Sequence, residues 1–229
     1  MKRRYKLLII IVVGTILGIL INHTKANYKI TIVAMGDSFS VAKTPYRIPG
    51  SSFTDYVSEY LDSENRLENY NYEYSIDHLT ISDLVTNLDN NTIGTKSKTP
   101  IKQVLAKAEI ITIAIGIDEF GDTSLRKDIT EDDINEFIMK YKELLTKIRE
   151  FYQKDIIIIG LYPVYNFKQS SAIEVNKKLS ILCGNYNAKF IDIMPYAIND
   201  EYHFSNDYYY LNYKVHKKIA EIIIKNTCQ

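Results

Sequence analysis

The stretch Ile30-Thr-Ile-Val-Ala-Met-Gly-Asp-Ser-Phe-Ser40 decides how the rest of the chain is read. Ile30 to Met35 is a short apolar run rich in β-branched residues, the pattern of a strand covered on both faces. It stops at Gly36, and Asp37 and Ser38 follow at once. In an open α/β sheet, ligands gather where strands end and helices begin. A serine at that point stands at the mouth of the sheet, among backbone N–H groups able to face an anion.

Outward from this stretch, strands and helices alternate. Phe53, Tyr56, Val57, Tyr60 and Leu61 recur at helical spacing, and Asn69 to Ile76 alternates tyrosines with polar residues as a strand does. Thr80 is placed to cap a helix carrying Ile81, Leu84, Val85 and Leu88, and Thr99 with Pro100 to open another as N-cap and first helical residue. Ile110 to Ile115 is the next strand, ending at Gly116, and Asp118 to Ile129 reads as a polar loop. Thr130, followed by three acids, caps a long helix to about Tyr152. Asp155 to Leu161 contains four consecutive isoleucines, which only a fully covered strand accommodates. A helix from about Ser171 to Tyr186 and a strand from Lys189 to Ile193 follow. Pro195 to Tyr210 reads as a long loop, and Asn212 to Lys225 as the closing helix, with His216 on its surface. This alternation predicts an α/β fold: one three-layer α/β/α domain around a five-stranded parallel, flavodoxin-like sheet.

The block Gly36-Asp37-Ser38 after the first strand resembles the SGNH (GDSL-type) hydrolase family, over about Tyr28 to the C-terminus. The resemblance implies a serine ester hydrolase with Ser38 as nucleophile and its backbone N–H as an oxyanion donor. The family's second block supplies a glycine N–H after the second strand. Here that stretch is Ser75-Ile76-Asp77-His78, and Asp77 or His78 stands in the glycine's place. The third block, Gly-x-Asn-Asp, reads Gly116-Ile117-Asp118-Glu119, and the resemblance implies that Gly116 and Asp118 face the oxyanion. Asp118, when ionised, accepts hydrogen bonds where the asparagine amide would donate one. The fourth, Asp-x-x-His, reads Asp207-Tyr208-Tyr209-Tyr210, with Tyr210 at the histidine position. A phenol with a pKa near 10 is a poor general base at neutral pH. His203 or His78 is the candidate replacement base.

Two expectations follow: an acyl- or acetyl-ester hydrolase built on Ser38 and Asp207, acting on a small-molecule, lipid or glycan ester, or a catalytically impaired pseudoenzyme retained as a binding module. No metal-ligand spacing, phosphate loop or dinucleotide fingerprint is present, so no cofactor or metal is expected.

The amino terminus carries a separate signal. Lys2, Arg3, Arg4 and Lys6 precede an apolar run from Leu7 to Ile21, the layout of a signal peptide or signal anchor over residues 1–26. The remainder, 27–229, is then exported, either secreted or held at the outer face of the cell membrane through residues 7–21. The first 26 residues hold five of the 28 basic residues and no acid, which leaves the remainder with 23 against 28, a formal −5. That balance does not suit nucleic acid. Cys183 and Cys228 are the only cysteines, too few for a disulfide framework, and Cys183 lies in a helical pattern as a small core residue.

Overall fold

The structure, a computed structural model, describes residues 28–121, 129–164, 167–204 and 207–228. The expected targeting segment, residues 1–26, lies outside them. Among the described residues no helix is long and apolar enough to cross a membrane.

Five parallel strands form the sheet: β1 (Ile30–Gly36), β2 (Leu67–Ser75), β3 (Ile110–Ala114), β4 (Asp155–Ile159) and β5 (Lys189–Ile191), in the order β2-β1-β3-β4-β5. Every residue of β1 and β3 is buried, as are Ile156 to Ile159 of β4, because helices cover both faces. Helices α1 (Phe53–Ser63), α2 (Ile81–Asp89), α3 (Ile101–Lys107), α4 (Ile117–Gly121), α5 (Glu131–Arg149), α6 (Gln169–Asn185), α7 (Met194–Ala197) and α8 (Tyr213–Thr227) complete the fold. One helical layer pairs α1 with α8, and another runs α2, α5, α6. The chain leaves β1 toward β2 on one side and reaches β3 on the other. The crevice at this reversal opens beyond the C-terminal ends of β1 and β3.

Local chemistry explains the helix starts. Thr80 and Thr130 each accept a backbone N–H at the third helical position, and Asp83 and Asp133 reach back in reciprocal capping boxes. Ser52 does the same for α1 with Asp55. Thr99 does not cap α3. Its hydroxyl donates to the Ser97 carbonyl, and Pro100 itself is the N-cap, with no side-chain bond.

Three other readings are corrected. Pro195–Tyr210 is not one loop: it holds α7, a 3-10 turn (Asp200–Tyr202) and an antiparallel pair of β6 (His203–Phe204) with β7 (Asp207–Leu211). Tyrosines favour a pleated, half-buried surface, and Tyr209 finds one here. The segment after Gly116 is not wholly loop, because α4 opens it.

His216 is not at the surface. Its ring is 2 % exposed and stacks on Phe39, with centroids 4.8 Å apart, inside the α1–α8 layer. Burial pushes its pKa down to about 3 from 6.5, so the folded protein holds it neutral. Nδ1 has no partner. The unfolded chain binds this proton more readily than the folded one, so stability falls as pH drops below about 6.5. His216→Phe keeps the ring stack and removes that proton. The variant should gain about 2 kcal/mol over wild type at pH 5 relative to pH 7.5, at roughly 1.4 kcal/mol per unit, read by denaturant titration at the two pH values. An identical pH profile in both proteins would refute this.

Cys183 lies in the core as expected, and both cysteines are buried free thiols.

Candidate active site

Ser38 sits in the turn after β1, 2 % exposed. The turn is possible because Gly36 has φ +146°, and any Cβ there would overlap the Ala114 carbonyl of β3. The Asp37 N–H donates to that same carbonyl at 3.0 Å, pinning the serine turn to β3.

Asp37 is fully buried and organises the neighbouring turn. Its Oδ1 accepts the Phe39 N–H at 3.0 Å. Its Oδ2 accepts the N–H groups of Gly116 at 2.7 Å, Ile117 at 2.8 Å and Asp118 at 3.4 Å. Burial, and after it the charge of Asp118, push the carboxyl up to about 7 against these N–H donors. Gly116 was expected to face an oxyanion. Its N–H is instead taken by the buried Asp37 carboxylate, at 2.7 Å. Sequence reasoning treated Asp37 only as part of the serine block. The one available signal was an acid wedged between a buried strand and the serine.

Held by this network, Asp118 turns its carboxylate onto Ser38. Oδ2 accepts the backbone N–H of Ser38 at 3.0 Å and of His78 at 3.1 Å. Oδ1 accepts the Ser38 hydroxyl at 2.9 Å and the Tyr209 hydroxyl at 2.7 Å. The side chain is only 5 % exposed. The two N–H groups that the family pattern aims at an oxyanion therefore converge on one oxygen of an internal carboxylate.

Of Asp77 and His78, it is His78 whose N–H reaches Asp118. Its φ of +62° is the left-handed conformation that glycine adopts freely, and it directs the His78 N–H into the site. The ring's Nδ1 lies 3.7 Å from Asp118 Oδ1 and its Nε2 3.8 Å from Asp77 Oδ2. Asp77 binds the Lys43 ammonium at 2.6 Å.

The last block differs from its expected roles. Asp207 Oδ1 accepts the N–H groups of Tyr209 at 2.8 Å and Tyr210 at 3.2 Å, a turn at the start of β7 rather than a grip on a base. Tyr210 is half-buried, in the field of Lys43, Asp77, Asp207 and Asp118, and desolvation raises its pKa. Tyr209, which sequence reasoning passed over, supplies the hydroxyl at the serine. Burial and Asp118 together hold it protonated. The two rings meet edge-on with centroids 4.7 Å apart, and of the two hydroxyls it is Tyr209's that bonds Asp118. His203 Nε2 donates to the Ala197 carbonyl at 2.7 Å, which ties that ring to α7.

A serine at the C-terminal edge of a parallel sheet, beside two convergent N–H groups at the topological switch, defines the class of three-layer α/β serine-hydrolase folds. The profile of the GDSL-like lipase/acylhydrolase family matches residues 32–223, and the chain belongs to that family. No curated protein matches the sequence. Solved structures share its fold. A variant of an acetyl xylan esterase from Geobacillus stearothermophilus is 15 % identical, with TM-score 0.61, over 88 % of this chain and 95 % of the other. A lipase/acylhydrolase from Enterococcus faecalis is 15 % identical, with TM-score 0.62, over 86 % and 95 %. The esterase EstA from Pseudoalteromonas sp. is 15 % identical, with TM-score 0.60, over 85 % and 94 %.

Proposed function

We propose that this protein is a catalytically impaired GDSL-family member that binds an ester-bearing lipid or glycan without appreciable turnover, on the outer side of the membrane. The observation that carries the reading is the Asp118 carboxylate, bonded to the Ser38 and His78 N–H groups and to the Ser38 hydroxyl. A substrate carbonyl would have to displace it. The oxyanion formed on attack would then face a like charge, where an enzyme needs a preorganised donor. A carboxylate is also an intrinsically weaker base than an imidazole, so it does little to activate the serine.

Binding has support beside the site. Tyr46 and Ile48, in the loop after Ser38, are exposed, and Tyr46 meets Phe204 of β6 edge-on at 5.8 Å. Such a rim suits a sugar ring or an acyl chain. The basic and apolar N-terminal run motivates the outer-face location. A second reading, slow hydrolysis, is favoured by the intact Ser38 and its 2.9 Å contact with a carboxylate acceptor.

One full-length preparation tests both parts. Protease added to intact cells should digest the domain. The purified chain should hydrolyse an activated acetyl ester no faster than Ser38→Ala does. Protection from protease refutes the location, and a rate abolished by Ser38→Ala refutes the impairment.

A further inference from the structure

Asp77, His78 and Asp118 each present a ligand atom, and these atoms lie within 4.8 Å of one another at the mouth of the Ser38 crevice. We propose that these three residues form a binding site for a divalent cation of the zinc type, with the Lys43 ammonium as its stand-in when the cation is absent. The proposal goes beyond the binding reading above and does not depend on it.

The donor set fits. Two carboxylate oxygens and one imidazole nitrogen suit zinc and its borderline neighbours, whereas calcium favours oxygen alone. Three protein ligands leave a position open to water or a ligand. Ligand atoms on a tetrahedral zinc stand about 3.4 Å apart at bond lengths near 2.1 Å. His78 Nδ1 and Asp118 Oδ1 are already 3.7 Å apart. Asp77 and His78 have exposed side chains, 42 % and 72 %, with room to close the rest.

The surroundings orient these ligands. Asp118 Oδ1 accepts the Ser38 and Tyr209 hydroxyls, one of which the cation would displace. His78 lies between the two other proposed ligands, with Asp118 on its Nδ1 side and Asp77 on its Nε2 side.

Two independent observations point to a cation. A cationic group is already there: Lys43 Nζ stands 2.6 Å from Asp77 Oδ2 and 3.3 Å from His78 Nε2. Its side chain is partly exposed on a flexible stem and can swing away. In addition, His78 and Asp118 are the two positions at which the chain departs from the family's glycine and asparagine. Both departures supply ligands to the same point. Sequence spacing conceals this, because His78 and Asp118 are 40 positions apart.

The test is calorimetric titration of the tag-free full-length chain with Zn²⁺, repeated with Mn²⁺, and the visible spectrum of the Co²⁺-loaded protein as a coordination readout. Wild type should bind one Zn²⁺ saturably. Asp77→Asn and His78→Gly should each weaken binding by about tenfold or more, as loss of one ligand from a small set does. His78→Gly keeps the backbone N–H and relieves the left-handed φ, so it also guards against misfolding, with metal-free melting as the check. Lys43→Met should tighten binding by about tenfold, since the cation no longer displaces an ion pair. Absence of saturable binding, or affinities unmoved by Asp77→Asn, His78→Gly and Lys43→Met, would overturn the site. No ester is turned over here, so failure leaves the reading of Ser38 untouched.

Discussion

The Asp118→Asn, Tyr210→His double variant should hydrolyse an activated acetyl ester about 10²–10³ times faster than wild type, the scale of one oxyanion donor. The two changes address two separate defects. In wild type the Asp118 carboxylate takes both oxyanion N–H groups and the Ser38 proton. A neutral amide holds those N–H groups less strongly and can donate to an oxyanion. The Tyr210 ring lies 4.7 Å from that of Tyr209, whose hydroxyl bonds Asp118, so position 210 stands beside the crevice. An imidazole there can take the Ser38 proton once Asp118 no longer does. Asp118→Asn alone should give a small gain, because the base is still missing. The two effects need not add, since nucleophile and base act as a unit. The measurement is kcat/KM for the four members of the cycle. A double variant no faster than either single variant would mean that position 210 does not face Ser38. Tyr209, whose hydroxyl reaches Asp118 at 2.7 Å, would then be the position to change.

Asp37→Ala should cost about 4 kcal/mol of stability or more. The buried N–H groups of Phe39, Gly116 and Ile117 lose their acceptor, and each unpaired buried donor costs roughly 1–3 kcal/mol. The Asp37 carboxyl, at about 7 in the folded protein against 3.8 ordinarily, also makes stability depend on pH. Between those values the folded protein binds the proton more readily than the unfolded chain. This contribution is therefore fully present below about pH 4 and is lost as pH rises to about 7. Asp37→Asn keeps the shape and removes the titration. Between pH 5 and pH 8 wild type should lose about 2–3 kcal/mol more than Asp37→Asn does, at roughly 1.4 kcal/mol per unit. Denaturant titration of both proteins at the two pH values measures it, and parallel profiles would refute it. Glu119 titrates in the same range and His216 in the opposite sense, but both are common to the two proteins.

The sequence by itself determined the layers, most of the helix starts and the place of Ser38. The isoleucines of β4, the apolar run of β1 and the caps Thr80 and Thr130 each act within one turn or one strand, so a short window contains the cause. Resemblance to the GDSL pattern then located Asp118 and the two departures at 78 and 118. Only the tertiary structure decided what those residues do. Gly116 gives its N–H to Asp37, Tyr209 rather than Tyr210 reaches Ser38's partner, and His216 is buried against Phe39. Asp118 takes the N–H groups of Ser38 and His78, and Asp77, His78 and Asp118 meet at one point. Each of these depends on groups brought together across the chain, from the 40 positions between His78 and Asp118 to the 177 between Phe39 and His216 (216 − 39). Hydrophobic periodicity records which face of an element is covered. Donor and acceptor pairing is set by how the covered elements cross, and it leaves no mark within any single window of the chain.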